Sequence, residues 1–404
     1  MSEERFDVLI EREPEAPAVM TTRQRYQSLA AVIASAFAAS LTFSICMPLL
    51  ALILERRGIG TTMIGLNTAS ATLGLLLCTV LAPRAISRLG TMRALYLGFI
   101  LMIFSIVLLP VFDNIWAWFP LRFLMGIGIA IHWVTSETWI NTIVEDRVRG
   151  RVMGIYVTAL AAGYLAGLPV LYFVGSEGYL PFFIVSATMS IAVFPLVFAR
   201  NLAPGIKTSE GFGILAAMRR APATMAAALT DGFVLGALFA FFLIYMHRLG
   251  FNEQDSIMLL IVMSLGNVVM QYPVGLLADR FDRRLLLVLF ALLVAAGTAA
   301  LPFYLMEPTL RWIVLFLWGG VMGGIYTCGL ALVGQRFKKD ELAGANATFI
   351  FTYEVGTFSG PIIGGFAMSL WDPNGLLAVT VAAGVLFALL ATARYIRMRG
   401  TDSG

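Results

Sequence analysis

Residues 279–311 read DRFDRRLLLVLFALLVAAGTAALPFYLMEPTLR. No charged side chain occurs between Leu285 and Leu305, whereas arginine and aspartate crowd the preceding loop. The hydrocarbon core of a bilayer is roughly 30 Å thick, and an α-helix needs about 20 apolar residues to cross it. The stretch therefore predicts a membrane-spanning helix that begins beside a basic loop.

The composition of the whole chain agrees with a membrane protein. Of its 404 residues, 59% are hydrophobic and 13% are charged, and the mean hydropathy is +0.85. A soluble domain carries about 25% charged residues. Because so few charges do not cover a water-soluble globule of this size, we expect most of the surface to face lipid. The net charge of +4 says little about nucleic acid, and we expect no nucleic-acid partner.

The chain contains twelve apolar runs of spanning length, separated by short polar loops. They cover about 27–54, 62–83, 94–111, 116–143, 152–174, 180–199, 222–246, 255–278, 285–305, 312–335, 342–369 and 375–397. Period-two patterning is absent, which disfavours a β-barrel. Backbone groups in lipid must bond within their own segment, so the runs predict a helical bundle.

The distribution of basic residues predicts the orientation. If the N-terminus is cytoplasmic, external loops carry only Arg56, Arg57, Arg248 and Arg311, and most other Lys and Arg lie inside. Cytoplasmic loops are enriched in positive charge. The first residues, MSEERFDVLIEREPEA, are acidic and mixed, unlike a cleavable signal. We therefore expect a multi-pass protein of the inner membrane with both termini in the cytoplasm.

Two copies of a weak motif divide the chain into halves. FLMG at 123–126 matches FLWG at 316–319, and the same offset of 193 takes Gly163 to Gly356. Two six-helix repeats are the plan of many secondary transporters. The sequence thus predicts an all-α membrane protein of 12 transmembrane helices in two pseudo-symmetric bundles. The expected segments are a tail 1–26, a bundle 27–199, a linker 200–221, a bundle 222–398 and a tail 399–404.

Several stretches resemble motifs of one transporter family. GLLADRFDRR at 275–284 resembles the signature loop of the major facilitator superfamily, although Asp282 replaces a glycine. RFLMGIGIA at 122–130 resembles the fourth-helix motif of its proton-linked members, and GTFSGPIIGG at 356–365 resembles its glycine–proline motif. SETWINTIVEDRVRGRVMGIY at 136–156 is most similar to the bacterial YcaD-like branch. The resemblance implies the major facilitator fold and alternating access.

The resemblance also implies gating residues. Asp279 would meet the N-terminus of the eleventh span, and Arg280, Arg283 and Arg284 would pair with acids across the cytoplasmic face. Basic loops that only set topology are the alternative reading. Gly356, Gly360 and Pro361 would allow close, hinged packing between spans, though simple helix packing explains them equally well.

Five ionisable side chains fall inside predicted spans, where a charge costs about 3 kcal/mol. They are Arg122, His132, Glu137, Asp231 and Glu354. Because such groups avoid lipid, we expect each to face the bundle interior or a water-filled cavity.

These groups suggest proton coupling. A buried carboxyl without a cation favours its neutral form, so Asp231 and Glu354 can carry a proton; hydrogen-bonded carboxyls that only tie helices together are the alternative. Arg122 matches the arginine of the resembled proton-linked motif, where it is thought to adjust the proton affinity of a nearby carboxyl. The alternative is that its side chain extends to the external membrane surface. His132 either protonates near neutral pH or stays neutral in a helix contact.

Glu137 lies two turns above the cytoplasmic loop. We favour a structural ion pair between Glu137 and one of Arg149, Arg151 or the arginines of 84–93. Glu137, Arg149 and Arg151 are therefore among the expected gating residues.

Aromatic and amide side chains are expected to line a central cavity. They are Asn67, Trp133, Tyr156, Tyr164, Asn267, Gln271, Trp318, Tyr326 and Tyr353. An aromatic cavity with few fixed charges suits an amphipathic, neutral or weakly cationic solute. Core packing explains most single aromatics equally well. The 19 methionines are only weak evidence for copper transport, because methionine side chains commonly fill apolar cores.

The sequence therefore predicts a secondary active transporter, driven by the proton gradient, that exports a small amphipathic organic solute. Proton-coupled uptake is the alternative mechanism. A metal transporter, a receptor and a channel are disfavoured. We expect no enzymatic activity, no cofactor and no metal site, and a monomer whose partners are its solute, protons and the bilayer.

Overall fold

A computed structural model describes residues 20–204, 214–338 and 341–402 of the chain. Within these ranges the structure contains α-helices and two 3₁₀ turns, and no strand. The α-helices are α1 Thr22–Arg56, α2 Thr61–Leu89, α3 Thr91–Leu108, α4 Ile115–Ile143, α5 Asp146–Val174, α6 Leu180–Phe198, α7 Ile214–Arg220, α8 Pro222–Arg248, α9 Glu253–Val269, α10 Gln271–Arg280, α11 Arg283–Tyr304, α12 Leu310–Arg336, α13 Leu342–Leu370 and α14 Gly375–Asp402.

The predicted helical membrane fold is confirmed. Among the described residues, eleven helical segments are long and apolar enough to cross a bilayer, and α9 with α10 forms one of them. Helix α13 has 29 residues, which is also a spanning length. It is less apolar because Asn346, Glu354 and several glycines interrupt its hydrophobic residues.

The eighth span is divided into two helices. Helix α9 ends at Val269, and α10 begins at Gln271 after Met270. Pro273 lies in the first turn of α10. A proline lacks an N–H and clashes with the carbonyl four residues earlier, here that of Val269. The break therefore falls where the proline ring leaves no room for a continuous helix.

The ends of the chain differ from the predicted tails. Helix α1 already begins at Thr22, because the Thr21 hydroxyl accepts a hydrogen bond from the Gln24 backbone N–H at 3.3 Å in a capping box. Helix α14 continues to Asp402, so residues 399–402 of the expected tail are helical, and the last two residues lie outside the described ranges. The predicted linker contains α7, and residues 1–19 and 205–213 lie outside the described ranges.

Spans of the first half, α1–α6, pack against spans of the second half, α8–α14. Helix α2 lies along α13, α5 contacts α9, and α1 contacts α8. The α2–α13 contact is close, because a Cβ on Gly65 would collide with the Pro361 carbonyl. The Thr61 hydroxyl also donates a hydrogen bond to the Gly365 carbonyl at 2.8 Å. Small residues at this crossing allow the two backbones to meet.

The two ends of the bundle differ in how the halves meet. We call the end where α1 begins and α14 ends the terminal end, and the other the opposite end. Toward the opposite end, 49–52 of α1 and 240–246 of α8 are buried in one apolar cluster that includes both halves. Toward the terminal end, Arg151, Ile155 and Val157 of α5 are exposed. The halves are therefore closed together at the opposite end.

Candidate functional site

Two buried carboxyl side chains lie on one tightly packed helix pair. Asp231 on α8 is 2% exposed and Glu354 on α13 is 9% exposed. A Cβ on Gly232 would collide with the Tyr353 carbonyl, and a Cβ on Gly356 would collide with the Leu229 carbonyl. Because only glycine permits this approach, the two helix backbones touch beside both carboxyls.

The two carboxyls have different hydrogen-bond partners. The Thr357 hydroxyl donates to Glu354 Oε2 at 2.8 Å, whereas Asp231 Oδ2 has no hydrogen-bond partner among the described residues. Within the same residues, neither carboxyl belongs to an ion pair. Burying an ionised carboxylate without a partner is strongly unfavourable. The geometry therefore favours the protonated, neutral form of both groups in this conformation.

Two tyrosines accompany the carboxyls in the second half. The rings of Tyr326 on α12 and Tyr353 on α13 meet edge to face, with centroids 5.4 Å apart. Both tyrosines lie close enough to Asp231 and Glu354 to interact electrostatically. Tyr326 and Tyr353 are only half-buried although they lie in the middle of their helices. Both rings pack against the apolar cluster of α8, α12 and α13 on one side and keep part of their surface exposed.

The first half contributes the facing wall. Trp133 Nε1–H donates a hydrogen bond to Glu137 Oε1 at 2.5 Å, and both side chains are half-buried. Glu137 lies within electrostatic range of Tyr326, and Tyr164 lies within range of Tyr353.

The structure thus brings together seven of the residues that the sequence analysis selected. We call this set the central site, and its members are Trp133, Glu137, Tyr164, Asp231, Tyr326, Tyr353 and Glu354.

Other predicted cavity residues lie elsewhere. Trp318 Nε1–H donates to the Val294 carbonyl at 3.3 Å, inside the second half. The Asn267 amide donates to the Gly319 carbonyl at 3.2 Å in the same half. Gln271 is exposed at the break between α9 and α10.

The remaining two predicted cavity residues are buried in the first half. Tyr156 is buried in its apolar core, near Glu137. Asn67 is fully buried, and neither of its amide atoms has a partner among the described residues.

Arg122 and His132 do not join the carboxyls. Arg122 is 2% exposed, and the ionisable group that influences it is Cys46 of α1. His132 shares a hydrogen bond of 3.3 Å with Ser35 and meets the Phe99 ring edge to face at 5.0 Å. Both side chains are therefore packed inside the first half in this conformation.

The signature loop makes its contacts within the second half. Asp279 pairs with Arg283 at 3.2 Å, and Arg283 donates to the carbonyls of Ala278 at 2.9 Å and Ala331 at 3.3 Å. These are local contacts, unlike the expected pairing across the terminal face. Arg280 and Arg284 are exposed at the terminal end.

Two of the arginines proposed as partners of Glu137, Arg149 and Arg151, are exposed on α5. The hydrogen bond that the structure gives Glu137 comes from Trp133 instead.

The glycine–proline motif has two packing roles. Gly356 and Gly360 contact α8 of their own half, where added Cβ atoms would collide with the Leu229 and Phe233 carbonyls. Pro361 instead contacts Gly65 of α2, across the two halves. The motif therefore packs α13 against α8 of its own half and against α2 of the other half.

Sequence reasoning missed an ion cluster at the opposite end. Arg248 of α8 pairs with Glu55 of α1 at 3.0 Å and also with Asp372, while Arg56 of α1 pairs with Glu253 of α9. We call these five residues the ion cluster. The Arg248–Glu55 and Arg56–Glu253 pairs join the first half to the second, whereas the Arg248–Asp372 pair lies within the second half. The only signal in the sequence was a set of charges at span ends, which does not reveal which ends meet.

The described fold, with two six-span halves around a polar, aromatic site, defines a multi-pass membrane transport protein. The family model of the Major Facilitator Superfamily matches residues 32–328 and, in a second overlapping match, residues 224–403. The chain belongs to this superfamily. The expected family is thus confirmed, and the chain is a transporter rather than an enzyme.

Relatives and solved structures agree with this assignment. The chain is 26% identical over 356 residues to the MFS-type transporter YcaD of Escherichia fergusonii, covering 87% of this chain and 91% of the relative. It is 26% identical over 341 residues to the MFS-type transporter YfkF of Bacillus subtilis, covering 82% and 86%.

Two solved transporters have the same fold. The nucleoside transporter NupG superposes with a TM-score of 0.77 at 11% identity, covering 91% of this chain and 99% of that one. A bacterial homologue of the human lysosomal transporter Spinster, inward-facing and unoccupied, superposes with a TM-score of 0.75 at 14% identity, covering 93% and 97%.

Proposed function

We propose that the protein is a proton-coupled secondary transporter that exports a small amphipathic organic solute by alternating access. The observation that carries this proposal is the pair of buried carboxyls, Asp231 and Glu354, on two touching helices that form one wall of the central site. The proposal assigns the proton to these carboxyls and the solute to the space between Trp133, Tyr326 and Tyr353.

The proposed proton coupling depends on water, because burying an ionised carboxylate is unfavourable only while water cannot reach it. In the conformation described, both carboxyls are buried without a cation and are stable as neutral acids. When water reaches the carboxyls from the cytoplasmic side, an ionised carboxylate is no longer costly and the proton can leave to that side. Each cycle of closing and opening then carries protons from one side of the membrane to the other.

The chemistry of the central site supports an amphipathic solute. Tyr164, Tyr326 and Tyr353 offer ring faces with a polar hydroxyl, and Trp133 adds a further large aromatic surface. Glu137 and Asp231 provide negative charge or hydrogen-bond acceptors, and no basic side chain belongs to the central site as defined above. Aromatic walls with a few polar groups suit neutral or weakly cationic organic molecules.

The arrangement of the two halves supports alternating access. The ion cluster and the apolar contacts between α1 and α8 close the opposite end, whereas the α5 surface at the terminal end is exposed. We propose that both termini are cytoplasmic and that the protein lies in the inner membrane. In that orientation the ion cluster is an external gate, and the terminal end faces the cytoplasm.

Export requires that the cytoplasm-facing state loads the solute and that protons entering from outside drive its release. The test uses protein reconstituted in liposomes, with amphipathic candidate solutes and an imposed pH gradient of either sign. The proposal expects solute movement opposite to the proton movement. Solute that moves with the protons would establish uptake instead, and solute flux indifferent to the gradient would remove proton coupling.

A further inference from the structure

A basic pocket lies at the terminal end of the second half, apart from the central site. It has a volume of about 100 Å³, and four helices, α8, α11, α12 and α14, contribute to its walls. Three arginines from three different helices line it, namely Arg284, Arg336 and Arg394. We call it the arginine pocket.

The charges of the arginine pocket are not balanced within the part of the chain that the structure describes. Arg336 lies close enough to Arg284, Arg394 and Arg220 for mutual repulsion. Arg220 has an acid partner, because it pairs with Glu341 at 2.7 Å. Among the described residues, the other three arginines have no such ion pair. Like charges held together in this way create a positive potential that favours a bound anion.

The walls of the pocket indicate which anion fits. Guanidinium groups present planar pairs of N–H donors that match the oxygens of a phosphate group. The Gln335 and Thr224 side chains add polar groups, while Leu287, Leu332 and Ala391 form an apolar side. A phosphate ester with an apolar or glycerol-like remainder complements both surfaces.

The position of the pocket agrees with a phosphate at the membrane boundary. Its arginines lie at the first turn of α11 and near the ends of α12 and α14, where these spans leave the apolar part of the bundle. Basic pockets between spans at this level can hold the head groups of anionic lipids.

We propose that the arginine pocket is a binding site for a phosphate-bearing anion, held by Arg284, Arg336 and Arg394. Two sources share this chemistry, an anionic phospholipid head group and a soluble phosphate. The site is distinct from the solute path of the proposed transport function, because all its residues belong to the second half and to the terminal end. Its occupancy is therefore measurable without any transported solute.

The test measures binding to the purified full chain. One arm compares phosphatidylglycerol with phosphatidylcholine by native mass spectrometry, and a second measures the melting temperature with inorganic phosphate. The variants are Arg336→Gln and Arg394→Gln. The control is Arg200→Gln, an exposed arginine that follows α6 and does not line the pocket.

We expect phosphatidylglycerol to bind about tenfold more tightly than phosphatidylcholine, with the preference lost in both pocket variants and kept in the control. Stabilisation by inorganic phosphate alone, lost in the same variants, would support the site with a soluble ligand. A lipid preference that survives both variants, or binding in neither arm, would overturn the proposal. If Arg336→Gln does not fold, Arg284→Gln and Arg394→Gln provide the same comparison.

Discussion

Asp231 and Glu354 each lie one residue from a point where the backbones of α8 and α13 touch. Gly232 follows Asp231 and lies against the carbonyl of Tyr353, the residue that precedes Glu354. The two carboxyls are therefore held by the backbone contact of the helix pair rather than by an ion pair. A small movement of α13 along α8 changes the surroundings of both groups together.

The first prediction concerns that backbone contact. Gly232→Ala would place a methyl group against the Tyr353 carbonyl, and we expect a loss of about 1–3 kcal/mol of stability, because overpacking forces backbone shifts. The measurement is the melting temperature in detergent. Gly334→Ala is the control, since a Cβ there meets nothing within 4 Å. Equal melting temperatures for the two variants would contradict the close contact.

The second prediction concerns whether the stability of the fold depends on the Asp231 carboxyl. Asp231→Asn replaces a buried acid by a neutral group of nearly the same shape, and we expect the melting temperature at neutral pH to be unchanged or higher. The reason is that the carboxyl has no charged partner to lose among the described residues. A large fall in melting temperature would show instead that an ionised Asp231 stabilises the structure.

The third prediction concerns the ion cluster as a gate. Arg248→Gln removes the pair with Glu55 of the other half, together with the pair with Asp372 of its own half, and one such pair contributes roughly 0.2–1 kcal/mol to the contact between the halves. We therefore expect the population open at the opposite end to rise by a few-fold. Spin labels are attached to cysteines introduced at 113 and 307, one on each half. Pulsed electron paramagnetic resonance then measures the distance between the two halves at the opposite end.

The control for this gate is Arg57→Gln at the same end. Arg57 contacts the Phe112 carbonyl at 2.9 Å and Asp113 at 3.5 Å, both in its own half. Its loss leaves the contacts between the halves intact, so the distances should not change. Since the label at 113 removes the Asp113 carboxylate, the Arg57→Gln comparison tests the loss of the arginine itself. Identical distance distributions for both variants would refute the gate.

The fourth prediction is a pH dependence outside the membrane. The hydrogen bond and charge of Arg25 hold the pKa of Glu145 below its usual value of 4.5. A carboxyl with a lowered pKa in the folded state stabilises it above the unfolded pKa, and this contribution disappears as pH falls through the folded pKa. We expect wild type to melt above Glu145→Gln at pH 7, with the difference vanishing as the pH falls below about 4.5. A difference independent of pH would contradict the pairing.

Much of the fold follows from the sequence because the bilayer imposes few solutions. The apolar run 285–305 has to be a helix, and α11 from Arg283 to Tyr304 matches it closely. Asp231 and Glu354 were identifiable because charged groups inside spans are rare. Tyr326 and Tyr353 were identifiable only as members of a longer set of aromatics.

The remaining features depend on contacts between distant segments. Arg122 lies by Cys46 of α1, and nothing in the residues around either one reveals that meeting. The pair between Glu55 and Arg248 joins two halves whose relative placement no local pattern encodes. Glu137 accepts a hydrogen bond from Trp133, one turn away on the same helix, and a neutral local donor of this kind is not distinguished from a distant arginine by the sequence.

The most direct test measures proton movement itself. Liposomes that contain the protein and an internal pH-sensitive dye receive a transported solute without an imposed gradient. We expect solute-driven proton flux in wild type and in Asp113→Asn, an exposed carboxyl of the α3–α4 loop, and its loss in Asp231→Asn and Glu354→Gln. Full proton flux in both carboxyl variants would contradict the assignment of the proton to this buried pair.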